Sequence, residues 1–169
     1  TYIDELGNKK DTKEYRLWCS MLVRCYSEKS LLTRPTYTNC SVSDNFKSFQ
    51  YFAKWCQAQV GFKLGKYQLD KDILIKGNRE YSETSCAFIP HNVNSFLISN
   101  KALRGKLPLG VYLDKGKHYR AMMCIGSGGR VHLGLFNTPE LAFQAYKTAK
   151  EAMAKELAIQ YEGLVDSRV

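Results

Sequence analysis

The chain has no pair of cysteines at Cys-x-x-Cys spacing, although it contains six. Cys19, Cys25, Cys40, Cys56, Cys86 and Cys124 are scattered, so no paired framework for structural zinc is visible. Reduced thiols in a cytoplasm are the simplest account, with Cys40 or Cys86 left open as ligands of an unpaired zinc site. Nothing resembles a signal peptide or a span of about 20 apolar residues, so neither export nor membrane insertion is predicted. Low-complexity tracts and internal repeats are also missing. Gly126, Gly128 and Gly129 fall in a turn without the Lys-Ser/Thr ending of a phosphate-cradling loop, and no nucleotide cofactor is expected. The sequence starts at Thr1 rather than Met, and a few leading residues are expected to precede it. Histidine is scarce: neither His91 nor His118 stands beside a convincing nucleophile, and the dispersed thiols do not form a catalytic cysteine site.

Acidic residues are also in short supply. The 169 residues carry 25 Lys and Arg against 16 Asp and Glu, a net charge of +9. Residues 1–108 hold 17 basic against 10 acidic side chains, and residues 109–169 hold 8 against 6, so the excess sits mainly upstream. This makes an acidic polymer the leading partner class, through attraction that carries no sequence preference of its own. A chain of this length buries roughly 70% of its unfolded surface, enough for one domain or two small ones. The change of pattern near Leu103 to Pro108 favours two.

The strongest pattern runs from Gly110 to Tyr146. Val111 and Leu113 alternate with Tyr112 and Asp114. Tyr119, Ala121, Met123 and Ile125 alternate with Arg120, Met122 and Cys124, and Val131, Leu133 and Leu135 with Arg130, His132 and Gly134. The two-residue period predicts three strands with one apolar face. Thr138 is placed to cap a following helix, with Pro139 in its first turn and Glu140 at the positive end of its dipole. Ala142, Ala145, Tyr146, Ala149, Ala152 and Met153 recur at helical spacing, a stripe small enough to lie close on a sheet.

These residues carry a resemblance. The frame Gly110-Val111, then Tyr119 and Ala121, then Leu133-Gly134 with Phe136, followed by an A-x-x-A-Y helix, resembles the APETALA-two/ethylene-response-factor-type DNA-binding domain. The resemblance implies that the sheet enters the major groove of double-stranded DNA. By position it assigns DNA contact to Tyr112, Arg120, Arg130 and His132, with Lys115 and Lys117 in the first turn. Asp114, Met122 and Cys124 depart from the family's outward Arg and Trp residues. A small sheet-and-helix module whose exposed Met and Cys meet a protein is the alternative.

Upstream, Tyr15, Trp18, Met21, Leu22, Cys25 and Tyr26 predict an amphipathic helix over about residues 10–26, with Lys13, Arg16 and Arg24 toward solvent. Ser43 or Asp44 caps a second helix running to about Gly61, with Phe46, Phe49, Phe52, Ala53 and Cys56 inward. Residues 69–74 and 86–90 read as strands around a turn at 76–79, and residues 91–101 as a helix. Together with W-x-x-M-L-x-R-C-Y from Trp18 and F-x-x-F-x-x-W from Phe49, this order resembles small phage-encoded proteins related to HNH nucleases. The resemblance implies one divalent metal held between a hairpin and a helix. The first-strand histidine of such enzymes is replaced here by Asp70-Lys71-Asp72, so the usual general base is missing. Asp70 and Asp72 are candidate Mg2+ ligands, with His91 and Asn94 completing a catalytic site. Ion pairing of the two carboxylates with neighbouring lysines, and capping by His91, explain the same residues without catalysis.

The expected protein is α+β. A helical HNH-like module spans residues 1–102, a basic linker 103–109, a three-stranded sheet packed on one long helix 110–162, and a tail 163–169. In the linker region Lys101, Arg104 and Lys106 either follow DNA phosphates or are simply solvated. The expected function is binding of double-stranded DNA by a cytoplasmic protein of phage or mobile-element type. A magnesium-dependent endonuclease or nickase, and a phage factor that binds a host protein, are the alternatives.

Overall fold

The structure, a computed structural model, describes residues 1–3, 5, 7–97, 106–125 and 129–169. Its architecture is α+β: helices dominate the first part of the chain, and an antiparallel sheet packed on a long helix forms the last. The chain divides into two compact units, Thr1–Ile89 with Leu164–Val169, and Pro90–Gly163.

In the first unit, Tyr2–Ile3 (β1) and Lys9–Lys10 (β2) pair antiparallel. The first helix, Lys13–Tyr26 (α1), begins at Lys13 because the Thr12 hydroxyl accepts the Tyr15 N–H and caps it. Ser27 closes α1 and caps a short helix, Glu28–Thr33 (α2), after which Pro35–Tyr37 form a single 3-10 turn. Ser41–Val42 (β3) runs parallel to Glu80–Tyr81 (β5). The second helix predicted from the apolar spacing is two helices, Asp44–Lys47 (α3) and Phe49–Ala58 (α4). Ser48 turns extended between them, and its hydroxyl caps α4 by accepting the Tyr51 N–H. Tyr67–Asp70 (β4) pairs with Ala87–Pro90 (β6).

Met21, Cys25, Val42, Phe46, Phe52, Cys56, Tyr81 and Phe88 form the buried core of this unit. The Phe46 ring lies 5.0 Å from Phe52 and 4.8 Å from Trp55, and the Trp18 indole donates to the Phe46 carbonyl at 2.9 Å. Lys13 and Arg24 are not the solvent-facing cations that the spacing predicts. Lys13 lies over the Phe62 ring and donates to the Phe62 carbonyl, and Arg24 lies over the Tyr37 ring. Both cations are thereby held against aromatic ring faces, where the ring quadrupole attracts positive charge. The last residues are held as well: Arg168 donates to the Thr84 carbonyl at 2.9 Å and pairs with Asp166.

The second unit begins with His91–Leu97 (α5), and residues 98–101 of the predicted helix lie outside the described residues. The division at Ile89/Pro90 comes earlier than the expected 103–109 linker because α5 is bonded to the C-terminal helix. The Tyr161 hydroxyl donates to Asn92 at 3.0 Å, and the Lys150 ammonium sits 3.5 Å over the Phe96 ring. Val111–Asp114 (β7), His118–Cys124 (β8) and Arg130–Phe136 (β9) form the antiparallel sheet in that order. Pro139–Tyr161 (α6) follows, with Thr138 accepting the Leu141 N–H as its cap and Glu140 in its first turn. Ala142 and Tyr146 are its buried residues, and Ala142 joins Val111 and Ala121 in a small core flanked by Tyr119, Leu133, Phe136 and Ala145. Ala152, placed in the stripe by spacing, is exposed.

Candidate nucleic-acid interface

Cross-strand pairing sorts the sheet's side chains between its two faces. Val111 stands opposite Ala121, and Leu113 opposite Tyr119, on the face toward α6. On the other face Tyr112 opposes Arg120, which opposes Leu135; Met122 opposes His132, and Cys124 opposes Arg130. The alternation predicted for β9 does not hold along its whole length. Ala121 pairs with Gly134 but Met122 pairs with His132, so Leu133 is an extra residue in β9 and the side-chain phase reverses across it. Leu135, expected on the buried face, is therefore on the open face beside Arg120 and 51% exposed. Gly134, expected outward, faces the helix side opposite Ala121. Its φ of +134° is glycine territory, and a β-carbon there would stand 3.2 Å from the Phe136 ring.

The open face offers half-exposed Tyr112 and Leu135 in its middle row, with Met122 partly buried beside them. Cys124, Arg130 and His132 are exposed toward the other end. Lys115 and Lys117 are exposed in the turn between β7 and β8. Among the described residues, neither they nor Arg130 has a carboxylate partner. Arg120 does: its guanidinium Nη2 is bound to the Asp114 carboxylate, diagonally across the β7–β8 ladder. Residues 110–136 hold four Lys and Arg against one acid, whereas α6 holds three of each, so the positive excess of this region belongs to the sheet. Of the remaining candidates Lys106 is exposed, and Lys101 and Arg104 lie outside the described residues.

The carboxylates proposed for metal are engaged differently. Asp70 Oδ1 accepts the backbone N–H groups of Asp72 at 2.9 Å and Ile73 at 2.8 Å. This folds the chain out of β4 at Asp70, four residues before the predicted strand end. Burial pushes the Asp70 carboxyl above its ordinary value, and the nearby Asp72 charge adds to the rise, against the lowering effect of those backbone bonds. Asp72 pairs with the Lys71 ammonium at 3.2 Å. Lys71, itself buried, donates to the Asn78 carbonyl at 2.8 Å, and the Asn78 amide returns a bond to the Lys71 carbonyl at 2.7 Å. These bonds fasten the loop to itself.

His91 and Asn94 are on α5, in the other unit, and His91 Nε2 lies 3.4 Å from the Ser95 hydroxyl. Among the described residues no three His, Cys, Asp or Glu side chains form a group suited to a metal ion. The donor set around Asp70 and Asp72 does not fit Mg2+, which wants several free oxygen ligands in near-octahedral array.

All six cysteines are free thiols. Burial pushes Cys25 up to about 11 and Cys56 and Cys86 up to about 12, which suits packing rather than nucleophilic chemistry. Among the described residues no helix is long and apolar enough to cross a membrane. Comparison with family models, curated proteins and solved structures finds no match.

Proposed function

We propose that this protein binds double-stranded DNA, and is of phage or mobile-element type, by laying the open face of β7–β8–β9 into the major groove. The observation that carries the reading is the asymmetry of the sheet. One face is closed by α6, while the other exposes Arg130, His132 and Tyr112, flanked by the turn lysines Lys115 and Lys117. A groove about 12 Å wide admits a two-stranded ribbon. Lysine and arginine at the rim neutralise phosphates, and Arg120 and His132 are placed on the strands to reach base edges.

Titration of a labelled duplex at increasing salt tests this. Affinity should fall steeply and linearly on a log–log scale, as released counterions require. Arg130→Gln should weaken binding several-fold at low salt. Absence of duplex binding at low salt, or affinity indifferent to salt, sinks the reading.

The exposure of Leu135 beside Arg120, in the cross-strand row that ends at exposed Tyr112, favours one second reading, a host protein seated on the same face. A partner retained from nuclease-treated host lysate and lost with Leu135→Glu, in a protein that binds no duplex, would put this reading first.

A further inference from the structure

The inference that follows deepens the DNA-binding reading and rests on it. Asp114 is the only acid in residues 110–136, and it stands on the face that this reading turns toward a polyanion. A carboxylate there opposes phosphate binding, so its placement calls for a separate role. Asp114 is bound to Arg120, and the two differ in depth: the Asp114 side chain is 17% exposed and that of Arg120 40%. The carboxylate is the more covered of the two and the guanidinium the more open to solvent. Arg120 is on the central strand, between Tyr112 and Leu135 in one cross-strand row, with Met122 two residues on.

We propose that Asp114 is a positioning residue for sequence discrimination. It holds the Arg120 guanidinium as a fixed fork at the centre of the face, and it cancels the charge with which a free Arg120 would bind any phosphate. A guanidinium has five N–H donors, and the bond to Asp114 through Nη2 leaves others free for a second acceptor pair. The O6 and N7 acceptors of guanine match that fork in the major groove. The neighbouring Tyr112, Leu135 and Met122 offer apolar contact, which in the same groove suits the methyl group of thymine. The ligand chemistry is therefore a guanine adjoining thymine, read at the centre. Lys115, Lys117 and Arg130, without carboxylate partners among the described residues, supply the attraction that any sequence shares.

The test begins with selection from a random-sequence duplex library by the full chain. Affinity and salt dependence are then measured on the selected duplex and on a scrambled duplex of equal length, for the wild type, Asp114→Asn, Arg120→Lys and Arg130→Gln. Asp114→Asn should bind the scrambled duplex more tightly, with a salt slope steeper by about 0.9, one phosphate's worth. Its preference for the selected duplex should fall roughly tenfold, the scale of one bidentate base contact. Arg120→Lys keeps the charge and loses the fork, so it should lose preference without losing scrambled-duplex affinity. Arg130→Gln should weaken both duplexes alike.

If Asp114→Asn weakens both duplexes equally, or leaves their ratio and the slope unchanged, the inference is overturned while DNA binding stands. If the wild type selects no duplex, the DNA-binding reading fails and takes this one with it. Should Asp114→Asn not fold by circular dichroism, Arg120→Lys decides alone: unchanged preference overturns the proposal.

Discussion

Gly110 lies against the ring of Tyr146 so closely that a β-carbon built on it would stand 2.1 Å from Cδ2. The contact joins the residue preceding β7 to the buried face of α6, and the Gly110 φ of +77° is one that other residues adopt only at a cost. Both the close approach and the backbone angle demand glycine. Gly110→Ala should therefore lower the unfolding free energy by clearly more than the about 1–2 kcal/mol that the left-handed backbone alone costs. Gly116, with φ +71° and nothing within 4 Å of its would-be β-carbon, is the control: Gly116→Ala should cost the backbone term only. Urea denaturation of the two variants separates the contributions, and equal losses would deny the close packing of Gly110 on Tyr146.

Phe46 has no solvent exposure and meets both Phe52 and Trp55 at ring-contact distance. Phe46→Ala removes the ring shared by α3 and α4 and leaves a cavity that two short helices are poorly able to close. A loss of about 3–5 kcal/mol is expected. Phe46→Leu should retain most of that stability. Chemical denaturation followed by tryptophan fluorescence reads it directly, since Trp55 packs on the same ring.

Asp70 predicts a pH effect whose sign is unusual for a carboxylate. Its folded value is raised, first by burial, so above that value the folded protein carries a charge it holds less easily than the unfolded chain does. The resulting penalty is present at neutral pH. It is relieved as pH falls through the folded value, fully so below the unfolded one. Asp70→Asn keeps the Oδ1 acceptor for the Asp72 and Ile73 N–H groups but cannot ionise. It should be at least as stable as the wild type at pH 7, and the gain should vanish in acid. Asp70→Ala loses both bonds and should cost about 1 kcal/mol. Thermal unfolding from pH 3 to 8 measures all three proteins. Adding Mg2+ or EDTA should not move the wild-type midpoint, and an Mg2+-dependent rise abolished by Asp70→Asn would restore the metal reading.

Where a local rule acts alone, the structure could be read in advance: Thr138-Pro139-Glu140 opens α6, and the alternation through Tyr119, Ala121 and Met123 defines β8. Where two rules compete, it could not. At Ser48 the apolar spacing from Phe46 to Cys56 continues through a helix break, because the serine hydroxyl caps the start of a new helix while its neighbours still face one core. Past Asp70 the run Ile73-Leu74 looks like strand, yet an aspartate side chain satisfies the backbone first and turns the chain. On β9 the period of two is correct on either side of Leu133 and wrong across it; Gly134 was the available signal, since a strand glycine often marks a bulge. The phase reversal reaches the candidate site, because it turns Leu135 onto the open face. The link between Asp114 and Arg120 needs strand register, which spacing alone does not supply.

Cys124 reports on the proposed interface. It ends β8 on the open face, opposite Arg130, and is exposed, whereas Cys25, Cys40, Cys56 and Cys86 are buried. Thiols pushed up to about 11 or 12 carry almost no thiolate near neutral pH, so Cys25, Cys56 and Cys86 should react with an aromatic disulfide reagent only as the fold opens. Half-buried Cys19 should react at an intermediate rate. The fast phase should belong to Cys124 and disappear in Cys124→Ser. If duplex DNA docks on this face, a saturating duplex should slow that phase by an order of magnitude or more while leaving the Cys19 rate unchanged, and added salt should restore it as the complex dissociates. A duplex that binds tightly yet leaves Cys124 as reactive as before must sit elsewhere on the molecule. In that case the charged residues around the sheet would have to be explained without the groove.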